Sequence, residues 1–146
     1  MIGKTMERER LSKLLSHFGV RVTPVRYLLY QALEEATVAM SLSDLEVELR
    51  TIDKSSIFRN LQLFLEAGLI HQIQDGSGVA KYAVSQVESV EHPTTHAHFT
   101  CRKCAETICL EGITLDLTQL AIPEGFQVDG YTLILKGICP HCKLSR

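Results

Sequence analysis

The stretch DKSSIFRNLQLFLEAGLIHQIQDGSGVAKYAV, residues 53–84, holds two periodicities in succession. Ile57, Leu61, Phe64 and Leu65 recur at helical spacing behind Asp53, an N-cap residue, and the run stops at Gly68. LIHQIQ and VAKYAV then read as two short strands around Asp75-Gly76-Ser77-Gly78, a turn of residues that mostly tolerate positive φ. A helix that runs into a small hairpin is the second half of a winged helix-turn-helix.

The preceding residues supply the first half. Leu11, Leu14, Leu15 and Phe18 place a helix near residues 6–18, with Gly19 as its stop. Thr23-Pro24 is an N-cap followed by an N1 proline, and Val25, Leu28, Leu29, Ala32 and Leu33 form the apolar face of the next helix. Ser43-Asp44-Leu45-Glu46 has the form of a capping box and opens a short third helix carrying Leu45 and Leu49. The expected class is α+β: a winged-helix domain over residues 1–84, a polar linker with Pro93 over 85–95, and a small α/β domain over 96–146. In the last, HAHFT and ETICL read as strands, Ile113, Leu117, Leu120 and Ala121 fall on one helical face, and FQVDGYTLILKGIC returns as strand. The alternation of Tyr131, Leu133 and Leu135 offers an edge to a second copy.

Composition narrows the function. A chain of 146 residues, 45% hydrophobic, with no apolar run of about 18 residues gives no reason to expect a membrane partner. Its opening MIGKTMERER is charged where an export signal would be apolar, so the expected address is cytoplasmic. The net charge of −2 provides no overall attraction to DNA. Locally the balance differs: Lys4, Arg8, Arg10, Lys13, Arg21 and Arg26 face only Glu7 and Glu9 before residue 31.

Five cysteines in a chain with no export signal argue for reduced thiols. Four form two CxxC pairs, Cys101/Cys104 in HAHFTCRKC (96–104) and Cys139/Cys142 in GICPHC (137–142). Each CxxC can present two thiolates to one ion, and four soft ligands satisfy tetrahedral zinc with no position left for substrate. One structural zinc per chain is the expected reading. The other readings are buried reduced cysteines or a redox dithiol, and neither pair looks set to open a helix after a βαβ pattern as a thioredoxin-type motif would.

GVRVTPVR (19–26), KSSIFRNLQLFLEAGLI (54–70), HAHFTCRKC and GICPHC, in this order, resemble the ferric uptake regulator family of bacterial metal-sensing transcription factors. The resemblance runs from about Leu11 to Cys142. It implies an N-terminal DNA-binding domain, a C-terminal dimerisation domain, a homodimer, and repression through a palindromic operator in double-stranded DNA. In a helix-turn-helix the N-terminal turns of the recognition helix enter the major groove, which nominates Lys54, Ser55, Ser56, Phe58, Arg59 and Asn60. Ser56, Phe58 and Arg59 match the family's Thr-Val-Tyr-Arg signature, with phenylalanine in place of tyrosine. Arg21, Thr23 and Arg26 match its Gly-Leu-Arg-x-Thr-Pro-x-Arg motif and would grip phosphates, and Lys13 would reach the DNA backbone or minor groove.

The family's metal-sensing residues are largely missing. Ala39 and Ala83 stand where the resemblance implies a histidine and a glutamate; Ala97 and Tyr131 replace an acid and a histidine of a second site, of which only Asp116 is kept. His96, His98 and Cys109 remain, Cys109 in place of the usual glutamate. Residues i and i+2 of a strand share a face, so the two histidines can point at one ion. A thiolate in place of a carboxylate moves the preference from iron or manganese toward zinc, or toward haem iron. Water, His92 or His71 would have to complete such a second site. The bland reading is that the histidines bond within the hinge and Cys109 is an ordinary buried residue.

The expected function is therefore a dimeric, zinc-stabilised DNA-binding repressor with altered sensing. A zinc-ribbon interaction module without operator binding is the rival, and it predicts no salt-sensitive, sequence-specific DNA binding. An enzyme is not expected: no general base stands beside the HxH, and no nucleophile has a partner.

Overall fold

The computed structural model describes residues 2–85, 97–113 and 115–145. The chain divides into two compact units, one up to Gln86 and the other from Val87 onward. Apart from Ser85, the residues read as a linker lie outside the described residues, as do His92 and His96.

The first unit begins with α1 (Ile2–His17) and α2 (Pro24–Glu35), the former starting earlier than its apolar repeat suggests. Leu11 and Leu15 are fully buried, and the Val20 N–H donates to the Leu15 carbonyl at 2.9 Å, closing the helix at Gly19, whose φ is +73°. Thr23 caps α2, its hydroxyl accepting the Arg26 N–H at 3.2 Å. Leu28, expected on the inner face, is 41% exposed. Next come β1 (Met40–Ser41), α3 (Leu42–Glu48) and α4 (Lys54–Ala67). The capping box of α3 is not Ser43 with Glu46 but Ser41 with Asp44: the Asp44 N–H donates to the Ser41 hydroxyl at 3.1 Å, and the Ser41 N–H to the Asp44 carboxylate at 2.9 Å. Ser41 is held extended by strand pairing, so the helix can begin only after it.

Asp53 caps α4 and Gly68, left-handed at φ +80°, ends it. β2 (Ile70–Ile73) and β3 (Lys81–Val84) pair antiparallel, and β1 adds to β3, so the hairpin is part of a three-stranded sheet ordered β1-β3-β2. Inside the hairpin, Lys81 Nζ lies 2.7 Å from a carboxylate oxygen of Asp75, with the two side chains 12% and 0% exposed. The other Asp75 oxygen accepts the Ser77 N–H at 3.0 Å. Leu29, Tyr30, Ile57, Leu61 and Phe64 centre the core, with Tyr30 and Phe64 edge to face at 6.1 Å.

The second unit holds β4 (Ala97–Cys101), β5 (Thr107–Leu110), β6 (Leu133–Gly137) and the short α5 (Pro140–Leu144), in a sheet ordered β5-β4-β6. β4 is antiparallel to β5 and parallel to β6. The helix expected around Ile113 to Ala121 reduces to a single 3-10 turn, Leu117–Gln119. Asp116 accounts for this: its carboxylate accepts both the N–H and the hydroxyl of Thr118, at 2.9 and 2.6 Å, so the side chain competes with the helix for the backbone. Pro123 further biases Ile122 away from helix. The strand expected from Phe126 begins only at Leu133.

Candidate metal centre and nucleic-acid face

The parallel pairing of β4 with β6 brings the two CxxC turns together. Cys101 is the last residue of β4 and is registered with Gly137, the last of β6, so the chain leaves both strands at the same end of the sheet. The Sγ atoms of Cys101, Cys104, Cys139 and Cys142 all lie within 4.8 Å of one another. Cys104 and Cys139 are 3.9 Å apart, far beyond a disulfide bond. A zinc tetrahedron with bonds of about 2.3 Å has sulfur–sulfur edges of about 3.8 Å, so the donor set fits the ion in number, softness and spacing.

Local structure supports the cluster. The first turn closes through the Ala105 N–H on the Cys101 carbonyl at 2.8 Å, with Ala105 at φ +64°, a conformation costly for a residue with a Cβ. The second CxxC does open a helix, Cys139 being the N-cap of α5, although no βαβ unit leads into it. The N–H groups of Cys139 and Cys142 point at the sulfurs of Cys101 and Cys139, each at 3.4 Å. Lys103, between the first two cysteines, donates to the carbonyls of Cys142 and Ser145 at 3.4 and 2.9 Å. Backbone N–H groups of Cys104 and Cys139 hold the Cys101 thiol down to about 6, whereas burial and the neighbouring thiols push Cys142 up to about 12. Four thiols this close do not all ionise unless a cation offsets their charge.

On the same sheet, His98 is registered directly opposite Cys109. Opposite residues of an antiparallel pair share a face with Cβ atoms about 5 Å apart, so these side chains can meet one ion. Burial, followed by the charge of Glu111, pushes the Cys109 thiol up to about 11. Tyr131, in the position of a family histidine, lies outside β6; its hydroxyl accepts the Leu115 N–H at 2.9 Å. Asp116, expected on a helix, is instead the cap of the 3-10 turn and bonds to Thr118 and Gln119.

On the first unit, the residues nominated for DNA separate into two groups. Lys13, Arg21, Lys54, Ser55, Phe58 and Arg59 are exposed, with Phe58 at 46%. Thr23, Arg26, Ser56 and Asn60 are half-buried and bonded within the protein. The exposed residues of α4 include Lys54 and Phe58, which stand four apart, as do Ser55 and Arg59, and so share its outer face. The involvement of Arg26 and Asn60 with each other was not readable in sequence, since 34 residues separate them.

Helices followed by a three-stranded wing, joined in one chain to a sheet that ends in a tetrathiol cluster, define a winged-helix protein with a metal-binding second unit. The chain belongs to the ferric uptake regulator family, whose model matches residues 17–136. It is thus a DNA-binding, metal-binding transcription regulator and not an enzyme. The ferric uptake regulation protein of Campylobacter jejuni is 25% identical over 142 residues, covering 92% of this chain and 87% of that one. The peroxide operon regulator of Bacillus subtilis is also 25% identical over 142 residues, covering 93% of each. Among solved structures, a zinc uptake regulator complexed with zinc and DNA superposes with a TM-score of 0.67 at 23% identity, over 95% of this chain and 94% of that one. No helix among the described residues is long and apolar enough to cross a membrane.

Proposed function

We propose that the chain is a homodimeric repressor of a palindromic operator, stapled by one structural zinc per chain on Cys101, Cys104, Cys139 and Cys142. In this reading the sensing position has moved from iron chemistry to that of a softer metal. The observation that carries the zinc is the sulfur spacing: the 3.9 Å between Cys104 and Cys139 is close to a tetrahedral edge. Bound zinc would fix the ends of β4 and β6 without chemistry of its own.

Dimerisation is supported by the apolar surface of the second unit. Leu120, Phe126, Val128 and Leu135 are exposed, and β6 is an edge strand with one side unpaired by β4. DNA contacts fall to the exposed group: Arg59, Lys54, Arg21 and Lys13 for phosphates, Ser55 and Phe58 for base edges, the Phe58 ring suiting a thymine methyl. Replacing Arg59 with Ala is expected to weaken operator binding and to reduce the slope of log affinity against log salt by about one unit per protomer. Absence of salt-sensitive, sequence-specific binding to any duplex would leave the zinc-ribbon interaction module as the better account.

His98 and Cys109, with His96 beside them in sequence, are the proposed sensing ligands. A thiolate and imidazoles suit zinc better than ferrous iron or manganese. His98→Ala and Cys109→Ser are each expected to lower metal content from about two ions per chain to about one and to remove the metal response of DNA binding. Unchanged metal content and unchanged operator affinity in both variants would reduce the site to an ordinary strand pair.

A further inference from the structure

Arg26, near the start of α2, makes two side-chain bonds to different segments. Its Nε donates to Asn60 Oδ1 at 3.0 Å, and its Nη1 donates to the Arg21 carbonyl at 2.9 Å. Asn60 in turn donates from Nδ2 to the Ser56 carbonyl one turn back, at 2.8 Å. The amide orientation follows from the partners, because a guanidinium only donates and a carbonyl only accepts. Both ends of the Asn60 amide are therefore committed. The chain of bonds continues through Ser56, whose N–H and hydroxyl donate to the two Asp53 carboxylate oxygens at 3.0 and 2.7 Å.

We propose that Arg26 and Asn60 form a strut that fixes the roll of α4 against α2, and that they govern operator selectivity through that orientation without touching DNA. The proposal rests on the reading above that α4 enters the major groove. Each bond uses one of the two sites on its amide atom, but together they fix the half-buried amide against α2 and its own helix, so Asn60 cannot turn to meet an adenine edge without breaking them. Arg26 is similarly anchored: its planar fork spans α4 and the loop before α2, a geometry that the single ammonium of a lysine does not reproduce. What the strut positions is the neighbouring exposed face with Lys54, Ser55, Phe58 and Arg59. A small roll of α4 displaces the tips of these side chains. Base-edge hydrogen bonds tolerate such displacement poorly, whereas long cations still find phosphates. The strut should therefore matter for the operator and hardly at all for unrelated DNA.

The test uses the full-length, zinc-loaded dimer, a duplex obtained by selection with the parent chain, and a scrambled duplex. Assays run well below the measured unfolding midpoint of every variant. Arg26→Lys and Asn60→Ala are each expected to lower operator affinity about tenfold and to leave scrambled-duplex affinity within about twofold of the parent. The double variant is expected to fall within about twofold of either single, because both remove the same joint. The salt slope should not change, since no phosphate contact is lost. Two results overturn the strut: Arg26→Lys binding the operator as the parent does, or losses that multiply in the double variant. Either would mean that the residues act separately, Arg26 as a charge on the DNA. If the parent chain selects no duplex at all, the reading of α4 as a recognition helix falls and the strut's role in selectivity falls with it; selection by the parent with multiplying losses overturns the strut alone.

Discussion

Removing the proposed zinc with a chelator is expected to unfold the second unit and separate the proposed dimer while the first unit keeps its helices. The apolar core cluster, including Leu11, Leu29, Ile57 and Phe64, is contained in the first unit. In the second, the buried apolar residues among those described are Ala97, Cys101 and Cys142, two of which are proposed zinc ligands. A sheet of three short strands with so little covered apolar surface does not offset the entropy of ordering its backbone. A four-thiolate zinc can contribute roughly 10 kcal/mol or more, which exceeds any other single interaction in the unit. Cys101→Ser is expected to have the same effect, because it removes the ligand that receives the Cys139 N–H. Circular dichroism and sedimentation, with metal content measured on the same sample, decide the matter. Full retention of both signals in verified zinc-free protein would remove the structural role.

The second large effect is expected at the hairpin. Lys81→Met should destabilise the first unit by roughly 3 kcal/mol, because it removes the cation 2.7 Å from a fully buried carboxylate. That is a large share of the roughly 5–15 kcal/mol typical of a small domain. Asp75→Asn combined with Lys81→Met should recover much of the loss, since the pair is then absent and only neutral groups are buried. Urea unfolding of the parent and the two variants gives the comparison. A single-variant effect below about 0.5 kcal/mol would show that the ion pair behaves as a surface pair. The functional consequence is expected as faster amide exchange in β2 and β3, the elements that form the wing.

Local signals made much of the first unit legible. Asp53, Gly68 and the Asp75-to-Gly78 turn specify α4 and its hairpin through capping and backbone freedom, and all of them act where expected. The third helix shows the limit of such signals. Ser41-Leu42-Ser43-Asp44 and Ser43-Asp44-Leu45-Glu46 are overlapping frames that both satisfy a capping pattern. What selects the first is the pairing of Met40 and Ser41 with Tyr82 and Lys81, some 40 residues on, and a two-residue strand leaves no periodicity to read. In the second unit the helical spacing of Ile113, Leu117 and Leu120 is real, but the bonds that Thr118 donates to the Asp116 carboxylate win locally. The CxxC spacings announce a metal cluster without saying how the pairs meet. Likewise His98 and Cys109 are readable as donor types, whereas their position opposite each other depends on the β4–β5 register.

The parallel pairing of β4 with β6 also bears on how the protein is made. Cys104 and Cys139 lie 35 residues apart, so during synthesis the first CxxC emerges well before the second. A parallel pair is non-local and slow to close, and two thiolates alone hold zinc less firmly than four. On the zinc reading proposed above, the second unit would stay open until its last strand and second thiol pair arrive, and would close only with metal at hand. If so, zinc starvation would appear first as newly made chains that fail to assemble, before any assembled copy of the proposed dimer gave up its ion.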